Sequence, residues 1–68
     1  MTEEEAEAIR RRIAELTLEH RDLDAVVTAL AAMPFPDELR LRRLKKRKLW
    51  LKDEIVRLNM LLIPDIPA

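Results

Sequence analysis

Two stretches of this 68-residue chain carry the same repeating pattern of apolar residues, and this pattern limits the fold more than any other feature. In each stretch, one set of positions recurs at alternating steps of three and four residues, the heptad spacing of coiled-coil helices. The first set is Ile9, Ile13, Leu16, His20, Leu23, Val27 and Leu30, and the second is Leu41, Leu44, Lys48, Leu51, Ile55, Leu58 and Leu62. The sequence therefore predicts two amphipathic α-helices.

Capping residues and prolines mark where these helices begin and end. Thr2 followed by Glu5 fits a capping box at the start of the first helix. Pro34 disfavours helical conformation in the residue before it, and Pro36 suits the opening of a second helix. The predicted organisation is a single domain over 1–68, with a helix over about 3–32, a turn over 33–37, a helix over about 38–62 and an apolar, proline-containing tail over 63–68.

Folding the chain back at the prolines pairs the two heptad sets in order. Every facing pair of residue numbers then adds up to 71, as in Leu30 with Leu41 and Leu16 with Ile55. Two antiparallel helices require such a constant sum, and a slip of one residue would turn one apolar face away from the other. The predicted fold class is all-α, an antiparallel two-helix coiled-coil hairpin. We call the fourteen paired positions the seam.

The two predicted helices carry opposite charges. The chain as a whole has no net charge, but residues 1–33 carry a net charge of −4 and residues 37–57 a net charge of +5. Opposite charges favour helices that lie side by side. In particular, we expect Asp24 to face Lys45 across the seam.

Two seam positions are polar, His20 and Lys48, and they fall in neighbouring layers. A polar side chain at an inward heptad position lowers stability but can fix the register or the oligomeric state. We interpret His20 and Lys48 as a register layer, with the Lys48 ammonium reaching Asp24 or Glu19. A pH-sensitive hinge at His20 is the competing interpretation, because histidine titrates near neutrality.

Several apolar residues of the second helix fall outside the seam. They are Leu49, Trp50, Val56, Met60 and Ile63, which we call the outer strip. One hairpin cannot bury them, and exposed apolar strips often mark interfaces. We predict a homo-oligomer, most simply a dimer of hairpins, or an unknown protein partner on this strip. The competing interpretation is that Trp50 is a solvent-exposed surface residue without a role, as single surface apolar residues often are.

A run of basic residues also falls outside the seam. Arg42, Arg43, Lys46 and Arg47 are predicted to point away from it and to be available for phosphate contacts. Nucleic-acid binding by this face is therefore an alternative function. Against it, the run has one nearby aromatic residue for stacking, no helix-turn-helix spacing and an acidic first helix beside it. Anionic membranes or acidic proteins are further candidate partners.

The composition argues against several other functions. With no cysteine and a single histidine, the chain offers neither a disulfide nor clustered zinc ligands, and we expect no metal or other cofactor. Serine, cysteine and tyrosine are absent, so we expect no enzyme. No apolar run is long enough for a membrane span, and the charged start does not resemble a signal peptide, so we expect a cytoplasmic protein.

Three segments resemble the YdcH-like family of small bacterial proteins, whose function is unknown. The segments are EHRDLD at 19–24, PDEL at 36–39 and RLKKRKLWLKDEI at 43–55. The resemblance covers about residues 15–58, implies an α-helical hairpin and supplies no catalytic residues. The ending LIPDIPA lies outside the shared core and is a second candidate for binding a partner. Together these observations predict a small interaction or scaffold module.

Overall fold

A computed structural model describes residues 1–63 of the chain. It contains two α-helices, α1 over Glu3–Ala31 and α2 over Glu38–Leu62, and the described part has no β-strand. The two helices run antiparallel and pack against each other, so the predicted helical hairpin is confirmed. The molecule is elongated, with its longest dimension 51 Å and its shortest 14 Å.

Side-chain caps start both helices. The Thr2 hydroxyl accepts a hydrogen bond from the Glu5 backbone N–H at 3.1 Å, and the Asp37 carboxylate accepts one from the Arg40 backbone N–H at 3.0 Å. Each bond satisfies a backbone donor that has no partner inside its helix. The first turn of α1 also holds three glutamates, which complement the positive end of the helix dipole.

A short corner reverses the chain between Ala31 and Glu38. No residue of the described part has a positive φ, so the corner is built without the left-handed conformations that favour glycine. Pro34 and Pro36 lie on either side of Phe35, whose side chain is 95% exposed. The corner therefore forms a small apolar tip at one end of the hairpin.

The core lies along the seam and is one layer thick. Every predicted seam position is buried or half-buried. Leu16 and Leu51 are completely buried near the middle of the hairpin, and Leu58 packs with them. Ala6 is also buried and extends the α1 side of the seam by one step of three residues beyond Ile9. The seam thus accounts for nearly all the apolar burial in residues 1–63.

Candidate functional site

The outer strip remains exposed after the hairpin has formed. Its five side chains are between 47% and 65% exposed. Leu49 and Val56 are seven residues apart and therefore lie in one row along α2, which Met60 extends by one turn. Ile63, seven residues beyond Val56, is the residue that caps the end of the helix. Trp50 lies about 100° around the helix from Leu49, at the opposite edge of the exposed face. The strip is thus an aliphatic row with a tryptophan at its far edge.

Arg47 contacts both Trp50 on α2 and Glu19 on α1. Its Cζ atom lies 4.8 Å from the centre of the Trp50 ring, within the range of a cation–π contact. Its Nη2 atom donates a hydrogen bond to Glu19 Oε1 on α1 at 3.1 Å. The prediction that Arg47 points away from the seam is therefore wrong, because its guanidinium bridges the two helices and lies against Trp50.

The other three residues of the predicted phosphate-binding set have a different environment. Arg42, Arg43 and Lys46 are exposed on the opening turns of α2. No ion pair between residues 1 and 63 involves any of them. Their positive charges are therefore not neutralised by a neighbouring carboxylate of the described chain.

The predicted register layer contains an ion pair between the helices. Lys48 Nζ donates a hydrogen bond to Asp24 Oδ1 at 2.7 Å, while the lysine stem stays half-buried in the seam. This hydrogen bond and the lysine charge lower the pKa of the Asp24 carboxyl. The ion pair agrees with the prediction that the Lys48 ammonium reaches Asp24 or Glu19. The expectation that Asp24 faces Lys45 is corrected, since the Asp24 carboxylate pairs with Lys48 instead. His20 is half-buried on the adjoining layer.

A shallow pocket opens beside the register layer. It has a volume of about 440 Å³ and is lined by His20, Lys48, Lys52, Ile55 and Val56. Its lining combines two aliphatic side chains with two ammonium groups and an imidazole. Val56 belongs to both the pocket and the outer strip, so the two surfaces are continuous. Sequence reasoning missed the pocket because its shape depends on side-chain volumes from both helices.

Residues 1–63 contain neither a metal-ligand cluster nor a membrane-spanning helix. The part of the chain that the structure describes holds no group of three His, Cys, Asp or Glu side chains able to bind a metal ion. Neither α1 nor α2 has an apolar stretch long enough to cross a membrane. The predicted binding role of the LIPDIPA ending falls mostly on residues 64–68, which lie outside the described residues.

A single-layer antiparallel hairpin with an apolar and basic outer face places this chain in the class of small coiled-coil hairpin proteins. Its family is shown by a match over residues 13–59 to the family described as "Protein of unknown function (DUF465)", and the chain belongs to that family. YdcH-like proteins are members of it, so the resemblance seen in the sequence is confirmed. Comparison with curated proteins gave no match, and comparison with solved structures gave none.

Proposed function

We propose that this protein is a small cytoplasmic interaction module that self-associates, with the outer strip of one hairpin covered by a second copy. The observation that carries the proposal is the exposure of the outer strip in a hairpin whose seam is already filled. An apolar row along one helix offers the same surface on both partners, which is what a twofold dimer needs. The proposal involves no catalysis, because the one-layer hairpin over residues 1–63 offers no water-excluding site.

The accessible surface area of the chain supports an additional partner. The chain exposes 5777 Å², whereas a compact protein of 8.0 kDa would expose roughly 4,450 Å². The excess of roughly 1,300 Å² is larger than the area of about 800 Å² that each partner contributes to a standard interface. A second hairpin on α2, burying an area of this size, would therefore remove more than half of the excess per chain.

Sedimentation equilibrium on the full chain at micromolar concentrations tests this proposal. We expect the wild-type chain to dimerise and Val56→Glu to weaken the dimer at least tenfold, or about 1.4 kcal/mol, because a charge would enter an apolar interface. Leu18→Glu is the matched control, since Leu18 is 58% exposed on α1 and lies outside the outer strip. Far-UV circular dichroism checks that both variants remain helical. A wild-type chain that stays monomeric throughout would refute the proposal.

Nucleic-acid binding is the second candidate function, and one observation favours it: Arg42, Arg43 and Lys46 have no carboxylate partner within residues 1–63. Two observations weigh against it. Arg47 is engaged by Glu19, and its guanidinium covers a face of the Trp50 ring that stacking would use. Titration with random duplex DNA at about 50 mM salt separates the two functions, because low salt favours phosphate contacts. Absence of binding there would remove this candidate.

A further inference from the structure

The tip of the hairpin presents apolar side chains that belong neither to the seam nor to the outer strip. Phe35 is 95% exposed, the highest value among the large hydrophobic residues of the described part, and Met33 and Leu39 are each more than half exposed. Pro34 and Pro36 restrict the backbone on both sides of Phe35. The phenyl ring is therefore displayed on a short, stiff, convex corner.

A collar of basic residues follows this tip on α2. It consists of Arg40, Arg42, Arg43, Lys45 and Lys46. None of the five takes part in an ion pair within the described 63 residues. The acids of the same segment are Asp37 and Glu38, and the Asp37 carboxylate is occupied as the helix cap. Residues 29–46 therefore carry a net charge of +3 next to an exposed phenylalanine.

The charge of the whole hairpin is also separated along its 51 Å axis. The half nearer the tip, residues 20–51, holds eight basic and four acidic residues, a net charge of +4. The half at the open end, residues 1–19 with 52–63, holds five basic and eight acidic residues, a net charge of −3. Near a negatively charged surface, such a molecule turns its tip toward the surface and its open end away from it.

We propose that the tip docks on an anionic lipid bilayer, with Phe35 and Met33 entering the interface and the basic collar meeting the headgroups. Amphipathic elements bury their apolar side chains about 5–10 Å into the boundary between headgroups and acyl chains. At a rise of about 1.5 Å per residue, Arg42 and Arg43 lie within about 8 Å of the start of α2, which suits the level of the headgroups. Binding strength at such an interface grows with the buried apolar area and with electrostatic attraction to anionic lipids, and the tip contributes to both.

The shape of the tip favours a bilayer over other anionic partners. A protein or single-stranded nucleic acid that captured Phe35 would have to offer a pocket or a base for this convex corner, whereas a fluid bilayer adapts its shape to the inserted side chains. The aliphatic side chains of Met33 and Leu39 add burial in lipid but no stacking on bases. Docking by the tip does not involve the outer strip and is therefore independent of the proposed self-association.

Flotation of the full chain with lipid vesicles tests the inference. We expect binding to vesicles of phosphatidylglycerol and phosphatidylcholine, no binding to phosphatidylcholine alone, and loss of binding at about 0.5 M salt because the collar charges are screened. Phe35→Ser should weaken binding about tenfold, since burial of the ring is lost. Leu18→Ser is the control, an equally drastic change at an exposed leucine of α1, and should leave binding unchanged.

A fluorescent variant reports on insertion directly. In a Trp50→Phe background, Phe35→Trp places the one tryptophan at the tip, and its emission should shift to the blue when anionic vesicles are added. Three results would overturn the inference: no binding to anionic vesicles at low salt, binding that Phe35→Ser leaves unchanged, or tighter binding to random duplex DNA than to the vesicles. Binding that Phe35→Ser leaves unchanged would mean that the basic collar is attracted to negative charge without insertion of the ring.

Discussion

Replacing Leu16 by alanine measures how much the seam stabilises the hairpin. Leu16 is completely buried and packs with Leu51 and Leu58. Truncation of a buried leucine to alanine costs about 2.7–5 kcal/mol, and the cost is smallest where neighbours can close the cavity. Because this core is a single layer between two helices, the cavity can partly close, and we expect a loss of about 3 kcal/mol. For a domain of this size, the melting temperature should fall by roughly 12–24 °C.

Thermal and urea unfolding, followed by the helical circular dichroism signal, would measure this loss. All variants must be compared at one protein concentration, because self-association makes the melting temperature depend on concentration. Leu18→Ala is the control: it is the same substitution on the same helix, so helix propensity changes equally, but Leu18 is 58% exposed. We expect it to cost no more than about 0.5 kcal/mol. Equal losses at the two positions would refute burial in the seam as the source of stability.

Two further predictions concern the register layer. Replacing His20 and Lys48 together by leucine should raise the melting temperature by about 5 °C and broaden the range of oligomers seen in sedimentation, because apolar layers specify register less tightly. A sharp loss of stability would contradict the register role. Asp24→Asn should destabilise the hairpin at neutral pH. Because Lys48 lowers the pKa of Asp24 below its ordinary value of 3.8, the contribution of this pair is complete above that value and is lost as the pH falls through the lowered pKa. Urea unfolding of both chains should therefore converge in acid, and a difference that persisted there would speak against the pairing.

The seam was predictable because it depends only on the periodicity of the backbone. Alternating steps of three and four residues place Ile9 and Leu62 on the inward faces of their helices, independently of the neighbouring side chains. Antiparallel packing then requires that the numbers of facing residues have a constant sum. Ala6 continues the same steps and could have been included by extending the pattern backwards from Ile9. Its small side chain makes it a weak apolar signal, which is why it was missed.

The side-chain partners were only partly predictable, because the sequence allowed Asp24 to pair with either Lys45 or Lys48. Lys45 and Lys48 lie within one turn of each other on α2, and both have long flexible stems, so spacing alone does not decide which ammonium reaches Asp24. The position of Arg47 predicts an outward-pointing side chain, yet this long side chain extends to Glu19 on α1. Phe35 lies in the corner, where no helical periodicity exists to show whether a side chain is covered.

The constant register of the seam allows the length of the hairpin to change only in defined steps. Adding one heptad to each arm, at matching layers, would preserve every existing pairing and lengthen the rod by about 10.5 Å. An insertion of one or two residues in only one arm would instead rotate the remainder of that arm's apolar face toward water. The distance between the tip and the open end can therefore be adjusted in whole-heptad increments without altering the chemistry at either extremity.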